Sequence, residues 1–496
     1  MLHPDLHKLL QSLVYNPKDP LLFNSGFFLC FFFAFLLFYQ LVYKRKLTRV
    51  ILFTLFSLYF FYKACGFYFL FILLSAVVDF NLSNAIDRAS SLTRKKLLLT
   101  FSIVINLGLL FYFKYTDFFI GMINDWSGGT IQPLKLILPI GISFYTFENL
   151  SYTIDVYRGH FKPVKSFWDY CFFLSFFPKL VMGPIVRAAD FIPQIRKEIH
   201  VSREDIALGL YLIVGGLFKK VVISDYIYVN YVDYIFSDPT RHSGIECLLG
   251  VYGYALVIYC DFSGYSDIAI GMARWMGFTI PVNFDSPYQS SSITEFWRRW
   301  HISLSSWLRD YLYIPLGGNR KGKVRQYLNL FATMLLGGLW HGASWNFILW
   351  GGLHGTALAV DKMRMELFGK VKKVRSKAYL FLQKWLGVII TFHFVCFCWI
   401  FFKAGTFEKA QVILHQLFFN FNAAAFVPLV VNYQTVFAVM LLGFALHFLP
   451  KSFELATQRF LAVLPMLGRI LVLVVIIWLV VQVKTAEQVM PIYLQF

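Results

Sequence analysis

Two histidines stand in sequence settings that suit acid–base chemistry. His341 lies in LLGGLWHGASWNFILWGGLHG (335–355), inside a run from Gln326 to Val360 without Asp, Glu, Lys or Arg. A helical path from Arg325 would carry His341 about 24 Å along the helix axis. A polar side chain at that depth in a membrane is costly unless it faces a cavity. The neighbouring glycines permit close backbone approach and a break in the helix. We therefore expect His341 at the tip of a helical hairpin, beside a cavity.

His301 lies in TEFWRRWHISLSSWLRDYLYIPLGGNRKG (294–322). On a helical wheel it falls within an apolar arc, and Arg298, Ser305 and Arg309 border that arc. Burial keeps an imidazole neutral, which is the form that acts as a base. A structural histidine bonded to a backbone carbonyl would fit the same pattern, and the sequence leaves both interpretations open at this point.

The sequence narrows the chemistry that these histidines could perform. It contains no GxSxG, HExxH, P-loop, GxGxxG or CxxC motif, and the two histidines are too far apart for a local metal motif. We predict no metal site and no bound cofactor. The simplest remaining reaction is direct acyl transfer, in which a neutral histidine takes the proton of an acceptor hydroxyl as its oxygen attacks a thioester carbonyl. Amides of a broken helix could stabilise the developing oxyanion.

The composition indicates a membrane protein that positions these residues between helices. Apolar residues make up 58% of the 496 and charged residues only 15%, which excludes both a disordered chain and a soluble domain with a single core. The formal charge of +19 comes from basic loops between apolar runs, a pattern typical of cytosolic loops rather than of nucleic-acid binding. We read the seven cysteines as small buried apolar residues.

Hydropathy predicts an all-α polytopic fold with roughly eleven to thirteen transmembrane helices. The expected spans are 20–43, 50–62, 66–86, 97–113, 138–156, 168–186, 206–224, 245–273, 326–341, 343–360, 385–402, 426–450 and 463–483. Residues 410–421 are also apolar, and for them a place along the membrane interface is the alternative to a span. We divide the chain into N-terminal helices (1–137), a catalytic core (138–362) and C-terminal helices (363–496). In the core, Gly- and Pro-interrupted runs predict broken helices around a cavity. Six charges in this region should face a cavity or a partner: Glu148, Asp155, Asp169, Lys179, Asp261 and Asp267.

The basic loops set the expected orientation. Residues 44–49 and 87–96 should be cytosolic and the N-terminus outside, with no cleavable signal peptide. Residues 319–325 and 361–377 are also strongly basic. They should lie on the same, cytosolic side, which makes the uncharged run between them a hairpin.

At this point the motifs resemble a known family. WRRWHISLSSWLRDYLYIPLGGNR (297–320) and GGLWHGASWNFILWGGLHG (337–355) are similar to the membrane-bound O-acyltransferase (MBOAT) family, and 138–159, 177–187 and 259–288 resemble its bacterial alginate O-acetyltransferase branch. The resemblance implies a ring of helices around a central funnel. It implies His341 as the general base and His301 as a residue that positions or polarises the donor or acceptor. The predicted substrate-binding residues are Arg298, Ser305, Trp307, Arg309, Trp340 and Asp267.

The resemblance also implies the reaction and its partners. Acetyl-CoA, or another acyl carrier, would supply an acetyl group from the cytosol. An acetyltransferase partner on the outer face would pass it to an exported polysaccharide, and the chain would lie in the bacterial inner membrane. Three alternatives stay open: D-alanyl transfer to teichoic acid from a carrier protein, a transporter or flippase for an anionic or acylated sugar, and a scaffold subunit of an export machine. No nucleic-acid partner is expected.

Overall fold

The fold is helical throughout the part of the chain that the structure describes. The computed structural model describes residues 11–17, 19–368, 376–483 and 489–492, and these contain no strand. The helices are α1 Gly26–Val42, α2 Lys46–Cys65, α3 Phe69–Arg88, α4 Leu92–Lys114, α5 Thr116–Ser127, α6 Ile142–Arg158, α7 Phe167–Ser175, α8 Phe177–Leu180, α9 Ala188–Ile195, α10 Arg203–Leu217, α11 Asp233–Ser237, α12 Gly244–Trp275, α13 Ile293–Arg299, α14 Ile302–Leu308, α15 Lys323–His341, α16 Trp345–Phe368, α17 Lys377–Lys403, α18 Phe407–Phe419, α19 Phe426–Asn432, α20 Gln434–His447, α21 Lys451–Val463 and α22 Met466–Val483.

Short helical segments of other types connect these elements. Stretches of π-helix cover Phe218–Asp225, Tyr228–Val232 and Arg309–Tyr313. Short 3₁₀ turns cover Gly66–Tyr68, Pro239–Arg241, Pro287–Gln289 and Ala423–Ala425. The first two π stretches interrupt a helical run over 203–237 that is long enough to cross a membrane.

The all-α, multi-pass class predicted from hydropathy is confirmed. Within the described residues, six helical segments are long and apolar enough to cross a membrane, and two strongly bent pairs raise that number to eight. This is fewer than eleven to thirteen because several predicted spans are short or broken. The predicted span 168–186, for example, divides into α7 and α8 at Phe176, just before Pro178. The broken helices expected in the middle of the chain are therefore present.

The described residues group into two compact units, Met1–Gly209 with Ile268–Pro281, and Leu210–Asp267 with Val282–Phe496. The core of the first unit is rich in phenylalanine. Phe53, Phe177 and Phe278 are completely buried there, and the Phe53 and Phe278 rings meet edge to face at 5.5 Å. Such aromatic packing contributes about 0.5–1.5 kcal/mol per pair beyond area burial. The three-part division of the sequence stays a prediction.

The core of the second unit contains the two histidine segments. Its largest fully buried side chains include Trp300, Trp350 and Trp399. The Trp300 and Trp399 rings lie 5.0 Å apart, and Trp350 stacks on Trp399 at 6.1 Å. This tryptophan cluster joins the residue that follows α13 to α16 and α17 around the candidate site.

Ion pairs hold Glu148, Asp169, Lys179, Asp261 and Asp267, which belong to the charges expected at membrane depth. Glu148 pairs with Lys179, and Asp169 accepts a 2.6 Å bond from Arg196. Asp261 pairs with Lys220 at 2.5 Å, and Asp267 pairs with Lys219. The expectation of a partner is thus confirmed for these residues.

Candidate active site

The predicted helical hairpin is present and is held together by glycines. Helices α15 and α16 are joined by residues 342–344. A Cβ atom added to Gly338 would lie 3.0 Å from the Cα atom of Gly351, and one added to Gly355 would lie 2.9 Å from the Cα atom of Phe331. The two backbones therefore touch, as in small-residue helix packing in membranes.

His341 is the last residue of α15, at the tip of the hairpin. The helix ends there because Gly342 is extended, and a side chain at Gly342 would clash with the ring of Phe347. His341 is 4% exposed. The centroid of its imidazole lies 5.0 Å from that of Trp340, 5.1 Å from Trp350 and 5.3 Å from Phe402. The aromatic rings enclose the imidazole and restrict its orientation.

His301 is buried, but not on the face of one continuous helix as the helical wheel predicts. Helix α13 ends at Arg299 and α14 begins at Ile302, and His301 between them has a left-handed backbone with φ of 42°. Such a backbone is uncommon for a residue with a side chain. The wheel prediction was therefore wrong about the local structure, although the imidazole is completely buried.

The helix breaks at His301 because a distant asparagine caps the second helix. The backbone carbonyl of Asn283 accepts a 3.0 Å bond from the amide of Ile302. The side-chain oxygen of Asn283 accepts bonds from the hydroxyl of Ser303 at 2.6 Å and from its amide at 3.3 Å. These bonds satisfy amide groups that the first turn of a helix leaves open. Asn283 thereby fixes the backbone on which His301 sits.

The structure brings the two histidines to the same tryptophan. The centroid of the His301 ring lies 6.2 Å from that of Trp340. His341 directly follows Trp340 in the chain, and the centroids of these two rings lie 5.0 Å apart. His301 also meets Phe262 edge to face at 4.6 Å. His301, Trp340 and His341 therefore form one cluster, which we call the histidine site.

The other predicted binding residues differ in their surroundings. Trp307 is buried, with its ring 5.1 Å from that of Tyr311. Ser305 is partly buried, and its hydroxyl donates to the carbonyl of Trp300 at 3.2 Å. A role in substrate binding stays a prediction for both residues.

The charged residues among those predicted to bind substrate are exposed or form ion pairs. Arg298 is exposed. Arg309 is also exposed, and its guanidinium donates two bonds to the adjacent Asp310, at 2.7 and 3.2 Å. Asp267 pairs with Lys219, and both side chains retain about a quarter of their exposure. Binding roles for these three residues stay predictions.

Two polar residues of the hairpin have a significance that their sequence positions did not reveal. His354 is completely buried and accepts a 3.3 Å bond from the indole of Trp297, with its ring 4.7 Å from that of Trp350. Asn346 is 3% exposed, and neither atom of its amide hydrogen-bonds to a described residue. A buried amide without a partner is costly and often marks a functional position. The only sequence signal for Asn346 was its place five residues after His341.

Acidic groups at the open end of the hairpin are stabilised in their charged form. Lys323 and Glu366 bridge α15 and α16 at 2.9 Å, and this bond from Lys323 lowers the pKa of Glu366. Burial raises the pKa of Asp361, but bonds from Thr294 and Arg364 outweigh it and leave this pKa below its ordinary value. Among the described residues, no three His, Cys, Asp or Glu side chains gather as metal ligands.

Comparison with known proteins identifies the class. The sequence model of the membrane-bound O-acyltransferase family matches residues 26–402. The chain therefore belongs to this family of acyltransferase enzymes, and it is a multi-pass membrane protein. The resemblance of the two histidine motifs to this family is confirmed.

Three relatives of known description show which enzymes this chain is similar to. A peptidoglycan O-acetyltransferase of Helicobacter pylori is 37% identical over 68% of this chain and 68% of its own length. A probable alginate O-acetylase of Pseudomonas aeruginosa is 43% identical over 64% of this chain and 60% of its own length. A teichoic acid D-alanyltransferase of Bacillus subtilis is 30% identical over 56% of this chain and 71% of its own length. The match to the alginate enzyme thus spans less than two thirds of that protein.

Proposed function

We propose that this chain moves an acetyl group from a cytosolic thioester donor, acetyl-CoA, across the membrane for O-acetylation of an exported polysaccharide. The observation that carries the proposal is the histidine site: a buried imidazole at the tip of a glycine-packed hairpin, next to a second buried imidazole. Two of the named relatives, which act on peptidoglycan and alginate, support a polysaccharide as the final acceptor.

In this proposal, His341 is the general base. Its imidazole takes the proton of the acceptor hydroxyl as the hydroxyl oxygen bonds to the thioester carbonyl carbon. The tetrahedral adduct then collapses, the carbon–sulfur bond breaks, and the thiolate takes the proton from the imidazolium. The aromatic rings of Trp340, Trp350 and Phe402 support this role, because they hold the imidazole in one place and exclude bulk water.

His301 positions or polarises the donor or the acceptor. Its support is the left-handed backbone imposed by Asn283, because strained backbone that the surrounding structure enforces is concentrated at functional sites. His301→Ala should keep the chain folded in the membrane and lower acetyl transfer. His301→Gly, which suits the backbone but lacks the imidazole, should lower transfer to the same extent if the side chain is what matters.

A second candidate is D-alanyl transfer to teichoic acid from a carrier protein. The identity to the Bacillus protein favours it over unrelated reactions. It requires the same base and a different thioester donor. The donor therefore separates the two candidates.

The test is transfer of label across a sealed membrane. Purified chain is placed in proteoliposomes, radiolabelled acetyl-CoA is supplied at the face that carries residues 319–325, and polysaccharide with its outer-face partner protein is enclosed at the other. We expect acetyl label on the enclosed polymer or partner. Label from a D-alanyl carrier protein instead of acetyl-CoA would support the second candidate. Passage of the intact donor without acyl transfer would support a transporter and contradict the proposal.

A further inference from the structure

A cavity of about 960 Å³ lies in the first unit, where α3 ends and α4 begins. Residues within 80–94 and within 162–165 line it, so that the cavity joins the turn between α3 and α4 to the segment that follows α6. The adjoining ends of α3 and α4 contribute two basic residues to its lining, and the segment 162–165 contributes two more. The cavity is separate in sequence from the histidine site and belongs to no part of the proposed reaction.

The charge of this cavity is strongly positive. Arg88, Arg94, Lys162 and Lys165 line it, against a single acid, Asp87. Lys162 approaches Asp87 only to 4.0 Å, and its side chain is 93% exposed. Among the described residues, Arg88, Arg94 and Lys165 have no ion-pair partner. An anion in the cavity would supply the negative charge needed to pair with these cationic side chains.

An apolar stripe on the same helix leads into the cavity. Leu70, Leu74 and Val77 are about half exposed along α3. Asn81 and Arg88 continue this face of the helix and line the cavity. In a membrane-spanning chain, an exposed apolar stripe contacts lipid acyl chains. Along this face of α3, the side chains therefore change from apolar ones suited to acyl chains to basic ones suited to an anion, within about three helical turns.

We propose that this cavity is a binding site for an anionic glycerophospholipid. The basic side chains hold the headgroup phosphate, and one acyl chain lies along Leu70, Leu74 and Val77. A soluble phosphate compound shares the headgroup chemistry, but it would make no use of the apolar stripe. The site would anchor the end of α3 at the membrane surface.

Native mass spectrometry of the full chain in detergent tests the proposal by counting bound lipid. Phosphatidylglycerol, phosphatidylcholine and glycerol 3-phosphate are titrated separately. We expect phosphatidylglycerol to bind about tenfold or more tightly than phosphatidylcholine, since each basic residue near an anionic surface contributes several-fold to binding. Equal binding of the two lipids would overturn the proposal. Binding of glycerol 3-phosphate as tight as that of phosphatidylglycerol would overturn the lipid assignment in favour of a soluble phosphate compound.

A matched pair of variants locates the site. Arg88→Gln/Arg94→Gln/Lys165→Gln removes three charges from the cavity. Lys44→Gln/Arg45→Gln/Lys46→Gln removes three exposed charges from the segment where the loop after α1 meets the start of α2. We expect only the first variant to lose the preference for phosphatidylglycerol, by about tenfold or more. Equal loss in both variants, or in neither, would refute the assignment. Lipid preference is measured without acetyl transfer, so failure of the proposed reaction leaves this test intact.

Discussion

Two adjacent lysines offer a sharp test of how buried charge holds the second unit together. Lys220 is completely buried and pairs with Asp225 at 2.8 Å and Asp261 at 2.5 Å. Lys219 pairs with Asp267, its one ion-pair partner among the described residues, and its side chain is 22% exposed. Both residues are lysines, and they are adjacent in the same π-helical segment. They differ in burial and in the number of their ion-pair partners among the described residues.

The expected effects of Lys220→Met and Lys219→Met follow from this difference. Removing one partner from a buried ion pair typically costs about 3–5 kcal/mol, because the remaining charge is left without compensation. Lys220→Met leaves two such carboxylates, which places it at the upper end of that range. Lys219→Met leaves one partly solvated carboxylate, so we expect about 1 kcal/mol. For a chain of this length, unfolding entropy of about 2.1 cal/mol/K per residue converts 5 kcal/mol to roughly 5 °C in Tm.

Thermal unfolding with a thiol-reactive fluorescent dye measures both variants. Six of the seven cysteines are buried and free, so that unfolding exposes them to the dye. The triple variant Lys220→Met/Asp225→Asn/Asp261→Asn is the control, because it leaves no charge among these three buried residues and should recover much of the lost stability. Equal Tm values for the two single variants, or no recovery in the triple variant, would refute the reasoning.

The remaining predictions concern the hairpin. His354→Ala should lower the Tm in dye-monitored unfolding by about 3 °C, because it creates a cavity and removes the acceptor of a buried indole N–H. His415→Ala is the matched control, because His415 is exposed, and it should leave the Tm unchanged. Equal Tm values for the two variants would show that His354 does not stabilise the core. Asn346→Leu should keep or raise the Tm, since it replaces a buried amide that has no hydrogen bond to the described residues, while lowering acetyl transfer if the amide contacts substrate; unchanged transfer would exclude that contact. Cysteines placed at Lys321 and at Lys372, which lies outside the described residues, should react with a membrane-impermeant label from the same side, and labelling from opposite sides would rule out the predicted topology.

Local sequence pattern was sufficient to predict the hairpin. An uncharged run between two basic segments requires a chain that leaves and returns to one side of the membrane. Glycines at its tip allow the close approach that Gly338 and Gly351 make. The family motifs then added roles for the histidines that no single pattern could supply.

Features that depend on distant residues could not be predicted. The break at His301 arises from Asn283, which the helical wheel does not include. The charges of Asp261 and Asp267 suggested a cavity or a partner, but nothing near them in sequence pointed to Lys220 and Lys219. Long-range hydrogen bonds and ion pairs form only once the helices are packed, and a periodicity argument treats each helix alone.

A similar reason explains the position of His354. His354 follows His341 on the same hairpin, and nothing in its sequence position indicates what surrounds it. In the structure it accepts a hydrogen bond from Trp297, fifty-seven residues away, and it is completely buried. Its substitution therefore tests packing, and exposed His415 is the better control for catalysis.

The most direct test of the proposed function is acetyl transfer by His341→Ala in the proteoliposome assay, with His415→Ala as the matched control. Loss of a general base typically lowers a rate by about 10²- to 10⁴-fold. We expect His341→Ala to insert normally and to transfer less than about 1% of the wild-type label, while His415→Ala transfers label at the wild-type rate. Near wild-type transfer by His341→Ala would contradict the assignment of His341 as the base.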